Sequence, residues 1–138
     1  AKHMARHKRC CDACEELTAA RERRIPALLH QSWTVKTLPL LLGRCASSWK
    51  QRLPEWRHQL WTDADNHNLW ASYRGGAFLS LYERYKKPIE RADVSRLLYM
   101  FVHGGLYTDL DTLPCDGVGA AISTSGAKLV LVRDPWRG

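Results

Sequence analysis

The stretch that most constrains this chain is Arg91 to Pro114, R-A-D-V-S-R-L-L-Y-M-F-V-H-G-G-L-Y-T-D-L-D-T-L-P, because its hydrophobic period changes midway. Val94, Leu97, Leu98, Phe101 and Val102 recur at i, i+3, i+4, i+7 and i+8, which predicts a helix with these residues on its buried face. Asp93 and Arg96 lie one turn apart, with His103 further along, as a polar stripe off that face. Gly104-Gly105 supplies the left-handed cap that stops a helix and turns the chain. Beyond it the period is two. Leu106, Thr108 and Leu110 face one way, Tyr107, Asp109 and Asp111 the other, and Pro114 closes the strand.

Asp109 and Asp111 therefore share one face of a strand end, with Cα atoms roughly 6.6 Å apart at about 3.3 Å per residue. Both carboxylates can reach one hard divalent cation, with Leu110 turned inward as the anchor between them. Two protein carboxylates leave positions for water and for phosphate oxygens, the usual arrangement for Mg²⁺ or Mn²⁺. Two solvated aspartates merely decorating a strand end is the alternative. An amphipathic helix and a glycine pair leading straight into the motif argue against it.

The rest of the chain alternates. Ile25 to Trp33 reads as a first strand with Pro26 near its start. Thr37-Leu38-Pro39 opens a helix with Leu41, Leu42, Cys45 and Trp49 on its apolar side, stopped by Pro54. Trp56 to Thr62 is a second strand, running into another D-x-D, Asp63-Ala64-Asp65. Leu69, Trp70 and Tyr73 follow at helical spacing, so Asp65 or Asn66 is more simply an N-cap and this pair is structural. Gly75-Gly76 interrupts the pattern, and Phe78, Leu79, Tyr82 and Tyr85 resume it as far as Pro88. After Pro114 comes a Gly-, Ser- and Ala-rich loop, and then Lys128 to Arg133 as a buried strand. The order β-α-β-α-α-β-β predicts an α/β layered domain with a mainly parallel sheet. Ligands of such sheets sit beyond the carboxyl ends of the strands, where Trp33, Asp63 and Asp109/Asp111 all fall.

At 138 residues the chain is one small domain or part of a larger one. A net charge of +7 suits a polyanionic partner: nucleic acid, an acidic membrane surface or a nucleotide diphosphate. The basic residues 1–24 form a stem or disordered segment, with no interleaved aromatics to stack bases, so no nucleic-acid partner is expected. Cys10, Cys11, Cys14, Cys45 and Cys115 make an odd five. Cys11 to Cys14 is a C-x-x-C with His3 and His7 nearby, but no second pair completes a zinc site; a plain stem or a lumenal disulfide is the simpler reading. No run of about 20 apolar residues spans a membrane. The missing initiator Met and signal-peptide core read as a fragment without its natural ends.

A-D-x-x-R on a helix followed by G-G-x-Y-x-D-x-D resembles the DXD-containing sugar-binding region of glycosyltransferases. That family includes fungal initiating α-1,6-mannosyltransferases, inositol-phosphorylceramide mannosyltransferases and the glucosyltransferase domains of clostridial toxins. The opening I-P-x-x-x-H-Q-x-W and the later P-E-W-x-x-x-L-W-T-D occur in the family's order, so the resemblance covers about Ile25 to Arg133.

The resemblance implies a GT-A-like, Rossmann-like nucleotide-sugar-binding half over residues 25–138, incomplete at its C-terminus. It also implies a nucleotide-sugar donor and Mn²⁺ (or Mg²⁺) bridging the diphosphate. By position, Asp111 matches the direct metal ligand. Asp109 matches a residue contacting ribose and metal, partly through water. Asp93 and Arg96 match the pair that holds the donor sugar, and Trp33 a residue near the nucleotide base. The implied activity is a retaining hexosyltransferase, with no catalytic nucleophile identifiable. Mannose from GDP-mannose to a glycan or a glycolipid such as inositol phosphorylceramide comes first, and UDP-glucose or UDP-galactose as donor competes. A truncated, non-catalytic nucleotide-sugar-binding module is the alternative from another class. The family address is the Golgi and secretory-pathway lumen, membrane-associated through an anchor this sequence lacks.

Overall fold

The computed structural model describes residues 25–131. They fall into two compact units, Pro26–Asp116 and a second to which the segment from Gly117 onward belongs. Cys10, Cys11, Cys14 and the remainder of the basic stem lie outside the described residues.

The first unit runs β1 (Leu28–Ser32), α1 (Leu40–Arg52), β2 (Arg57–Trp61), α2 (Asp63–Ser72), a 3₁₀ turn (Tyr73–Gly76), α3 (Leu79–Arg84), α4 (Pro88–His103) and β3 (Leu106–Tyr107). The sheet has the order β2-β1-β3 and both pairings are parallel, as the alternating pattern predicts. The parallel registers put Ser32 opposite Trp61 and His30 opposite Tyr107, so all three carboxyl ends open toward the same edge of the sheet.

β1 is buried from Leu28 to Gln31, although two of those four residues are polar. Each is satisfied. The indole N–H of Trp61 can only donate, so His30 Nδ1 accepts it at 2.9 Å and the proton sits on Nε2, which donates to Gly104 O at 2.8 Å. Gln31 Nε2 donates to Thr108 Oγ1 at 3.2 Å. Around His30 the rings of Trp61 and Tyr99 stack 4.7 Å apart and nearly parallel, with His30 5.1 Å from Tyr99. This aromatic block ties α4 to the two long strands.

The glycine pair does more than cap. Gly104 and Gly105 have φ of 63° and 99°, and a Cβ on Gly105 would lie 2.3 Å from Leu28 O. Only a bare backbone lets the end of α4 pass this close to β1 and drop straight into the parallel β3.

Several sequence-based expectations are corrected. On α4 the buried residues are Ser95, Leu98 and Tyr99, while Leu97 and Phe101 are exposed. The helix is rolled because Ser95 is hydrogen-bonded into the interior: Trp70 Nε1 donates to its hydroxyl at 3.0 Å, which in turn donates to Arg91 O at 2.7 Å. Hydrophobicity alone cannot see such a residue.

On α1, Trp49 is buried as expected but Leu41 is exposed, and Pro39 stands just before the helix rather than in its first turn. Neither Asp65 nor Asn66 is the N-cap of α2. Thr62 is: its hydroxyl accepts from Asp65 N, and Asp65 Oδ2 accepts from Thr62 N, a reciprocal capping box.

β3 ends at Tyr107, so Asp109 and Asp111 lie in a turn instead of on a strand. In the second unit, a helix, α5 (Val118–Thr124), replaces the expected loop. Lys128–Leu131 is irregular and exposed at Leu129 and Leu131, not a buried strand; Val132 and Arg133 lie outside the described residues.

Candidate functional site

The turn after β3 is held from below. Thr108 N donates to His30 O at 3.1 Å, continuing the parallel ladder one step past Tyr107. Asp109 O then accepts from Thr112 N at 3.3 Å and from Thr112 Oγ1 at 2.6 Å, and Thr112 O accepts from Trp49 Nε1 at 3.0 Å. Leu110 is buried between the two aspartates, which is the anchor the sequence predicts. Fixing the backbone on both sides of Leu110 leaves both carboxylates turned to the surface, on a turn rather than on a pleat.

Above this turn stands one guanidinium. Arg96 Nη2 lies 2.6 Å from Asp93 Oδ1 on its own helix, and Nη1 lies 3.5 Å from Asp109 Oδ1. Its Cζ sits 4.7 Å over the ring of Tyr107, whose hydroxyl donates to the same Asp109 Oδ1 at 2.5 Å. Arg96 thus joins the middle of α4 to the post-β3 turn through two carboxylates and an aromatic face. The structure brings Asp93, Arg96 and Asp109 together from positions up to sixteen apart in sequence.

Tyr107 is the member that sequence reasoning overlooked. Its alternation with Asp109 was visible in the period-two pattern, and that was the signal. Burial, then its bond to Asp109, pushes the Tyr107 hydroxyl above its ordinary value, so it remains a protonated donor. Tyr99 is pushed up the same way, chiefly by burial, with the Arg96 charge working against it and Asp109 and Asp93 adding to it. Among the described residues its hydroxyl is buried without a hydrogen-bond partner, as is Arg96 Nε.

Asp111 is exposed and, among the described residues, makes no hydrogen bond or ion pair. Asp93 and Asp109 set two carboxylates against the one guanidinium of Arg96, and Asp111 follows two residues after Asp109 in the same turn. Asp109 and Asp111 are both exposed carboxylates, the hard oxygen donors that a divalent cation takes. Among the described residues no group of three or more His, Cys, Asp or Glu stands together as a metal site.

Trp33 is half-buried just past β1, its backbone N–H donating to Trp61 O at 3.0 Å. Among the described residues no hydrogen bond or ring contact links it to the Arg96 cluster, although both stand at the carboxyl ends of the sheet. Asp63 and Asp65 of the second D-x-D lie in the first turn of α2, where Asp65 completes the capping box of Thr62. A surface hollow of about 500 Å³ runs along α1 past Gly43, Arg44 and Ser47 and includes none of these site residues.

Residues 41–125, more than half of the chain, match the model of a family described as a glycosyltransferase sugar-binding region containing a DXD motif. The chain belongs to this glycosyltransferase family. Among its relatives, inositol phosphoceramide mannosyltransferase 3 of Schizosaccharomyces pombe is 32% identical over 96 residues, 70% of this chain and 27% of that protein. Mannosyl phosphorylinositol ceramide synthase SUR1 of Saccharomyces cerevisiae is 32% identical over 87 residues, 63% of this chain and 22% of that protein. Initiation-specific alpha-1,6-mannosyltransferase of Candida albicans is 29% identical over 108 residues, 72% of this chain and 28% of that protein. The chain thus spans about a quarter of the length of these glycosyltransferase relatives. No solved structure matches it. Among the described residues no helix is long and apolar enough to cross a membrane.

Proposed function

We propose that this chain carries the donor-binding site of a metal-dependent hexosyltransferase, with GDP-mannose as first-choice donor and a glycolipid such as inositol phosphorylceramide as acceptor. The observation that carries the reading is Arg96 bridging Asp93 and Asp109, with the exposed Asp111 two residues further along the same turn. Asp111 and Asp109 would hold Mn²⁺ or Mg²⁺. When bound, the cation would neutralise the charge that develops on the leaving diphosphate. Asp93 accepts from sugar hydroxyls and Arg96 donates to them, as a fixed acceptor–donor pair. Trp33 offers its indole face to the nucleotide base. The named activities of the relatives favour mannose and an inositol phosphoceramide acceptor; the resemblance of the motifs to the family suggests action in the secretory-pathway lumen, at a membrane.

Calorimetric titration of GDP-mannose and UDP-glucose, with and without Mn²⁺, tests this. Mn²⁺-dependent binding of GDP-mannose, lost in Asp111→Ala, is expected. Preference for UDP-glucose would reassign the donor, and well-folded protein binding neither would refute the site. Donor hydrolysis in the same samples separates an enzyme from a binding module.

A further inference from the structure

The second D-x-D has a role beyond capping. The segment between β1 and α1 carries Trp33 and is tied to the β2–α2 junction at four points. Trp33 N donates to Trp61 O at 3.0 Å and Asp63 N donates to Thr34 O at 3.3 Å. The Lys36 ammonium then reaches across the gap, donating to Leu60 O at 2.9 Å and to Asp65 Oδ2 at 2.5 Å. Asp65 Oδ2 also accepts from Thr62 N at 2.9 Å and from Thr62 Oγ1 at 2.8 Å. One carboxylate oxygen therefore serves both the start of α2 and the loop that leaves β1.

The two backbone bonds fix Trp33 and Thr34 only. Val35, Lys36 and Thr37 are all exposed, and Lys36 is the side chain among them that reaches another element. We infer that Lys36 is a positioning residue for nucleoside recognition, fastening the loop so that Trp33 leaves β1 in one direction. The inference rests on Trp33 as the residue that meets the base. An aromatic platform helps only if its plane is already set when the base arrives, since ordering it on binding would cost affinity. The Lys36–Asp65 pair is largely solvent-facing, with side chains 62% and 32% exposed, so it adds little to global stability. Removing it loosens the loop without unfolding the domain. Lys is suited to the task because its three ammonium protons can serve a carbonyl and a carboxylate together.

The test uses GDP, UDP and inorganic pyrophosphate, each with Mn²⁺, titrated into wild type, Lys36→Met, Lys36→Arg and Trp33→Leu. Lys36→Met is expected to weaken the preferred nucleoside diphosphate by roughly three- to tenfold, part of what one stacked base contributes. Pyrophosphate affinity is expected to stay unchanged, and Lys36→Arg to recover most of the loss. Amide exchange should quicken at residues 34–37 in Lys36→Met and nowhere in β1 or β2. If Trp33→Leu weakens the nucleotide while Lys36→Met changes neither affinity nor exchange, the latch is refuted and the base platform stands. If Lys36→Met weakens pyrophosphate and nucleotide equally with a lowered Tm, Lys36 is structural and the inference is overturned. If Trp33→Leu has no effect, the base platform itself fails and takes the inference with it.

Discussion

The hydroxyl of Tyr107 donates to Asp109 Oδ1 at 2.5 Å, the same oxygen that faces the Arg96 guanidinium at 3.5 Å. With one hydroxyl donor and one guanidinium charge on Oδ1, the carboxylate is restrained in its rotation. Tyr107→Phe keeps the ring under Arg96 and removes only the donor. Donor affinity in Mn²⁺ is expected to fall by roughly fivefold, about 1 kcal/mol for one hydrogen bond, with Tm nearly unchanged. Calorimetry on the variant decides; an unchanged affinity would mean Asp109 needs no such restraint.

Gly105 meets the backbone of β1 where no side chain fits. Gly105→Ala would drive a Cβ to 2.3 Å from Leu28 O at a φ of 99°. A destabilisation of about 3 kcal/mol or more is expected from the combined clash and strain. Urea unfolding measures it. A variant as stable as wild type would show that the α4–β3 turn does not hold this close approach.

His30 sets an acid limit on the fold. Burial is the main cause lowering its pKa below 6.5; the Gly104 bond opposes it, and His103 and Arg57 add to the lowering. The folded state therefore favours neutral imidazole. The stability this gives is complete above pH 6.5 and is lost as the pH falls through that value toward the depressed one. His58, lowered chiefly by burial, contributes with the same sign. Urea midpoints should fall between pH 7.5 and pH 5, with a shallower slope in His30→Gln. Equal slopes would remove His30 from the account.

The fold class was legible because a parallel sheet announces itself through alternating elements, and Trp33, Asp63 and Asp109 did fall near strand ends. The face of α4 was not legible. Ser95 is buried by hydrogen bonds that hydropathy does not register, and Tyr99 carries the contact expected of Leu97 and Phe101. The sequence pattern predicts two aspartates on a pleat, but Thr112, held by Trp49, draws the chain into a turn through Asp109 O. Asp93 and Arg96 were legible as a helical pair, while Arg96 reaching Asp109 needed the fold. The Lys36–Asp65 contact spans 29 residues, and nothing in local spacing foretells it.

The central claim is that the Asp109–Asp111 turn, and not the Asp63–Asp65 helix start, holds the cation. Electron paramagnetic resonance of Mn²⁺ with GDP present, in wild type, Asp111→Asn and Asp63→Asn, tests it most directly. The free-Mn²⁺ signal is expected to diminish on adding wild type or Asp63→Asn and to persist with Asp111→Asn. Equal binding by all three, or loss only in Asp63→Asn, would contradict the account.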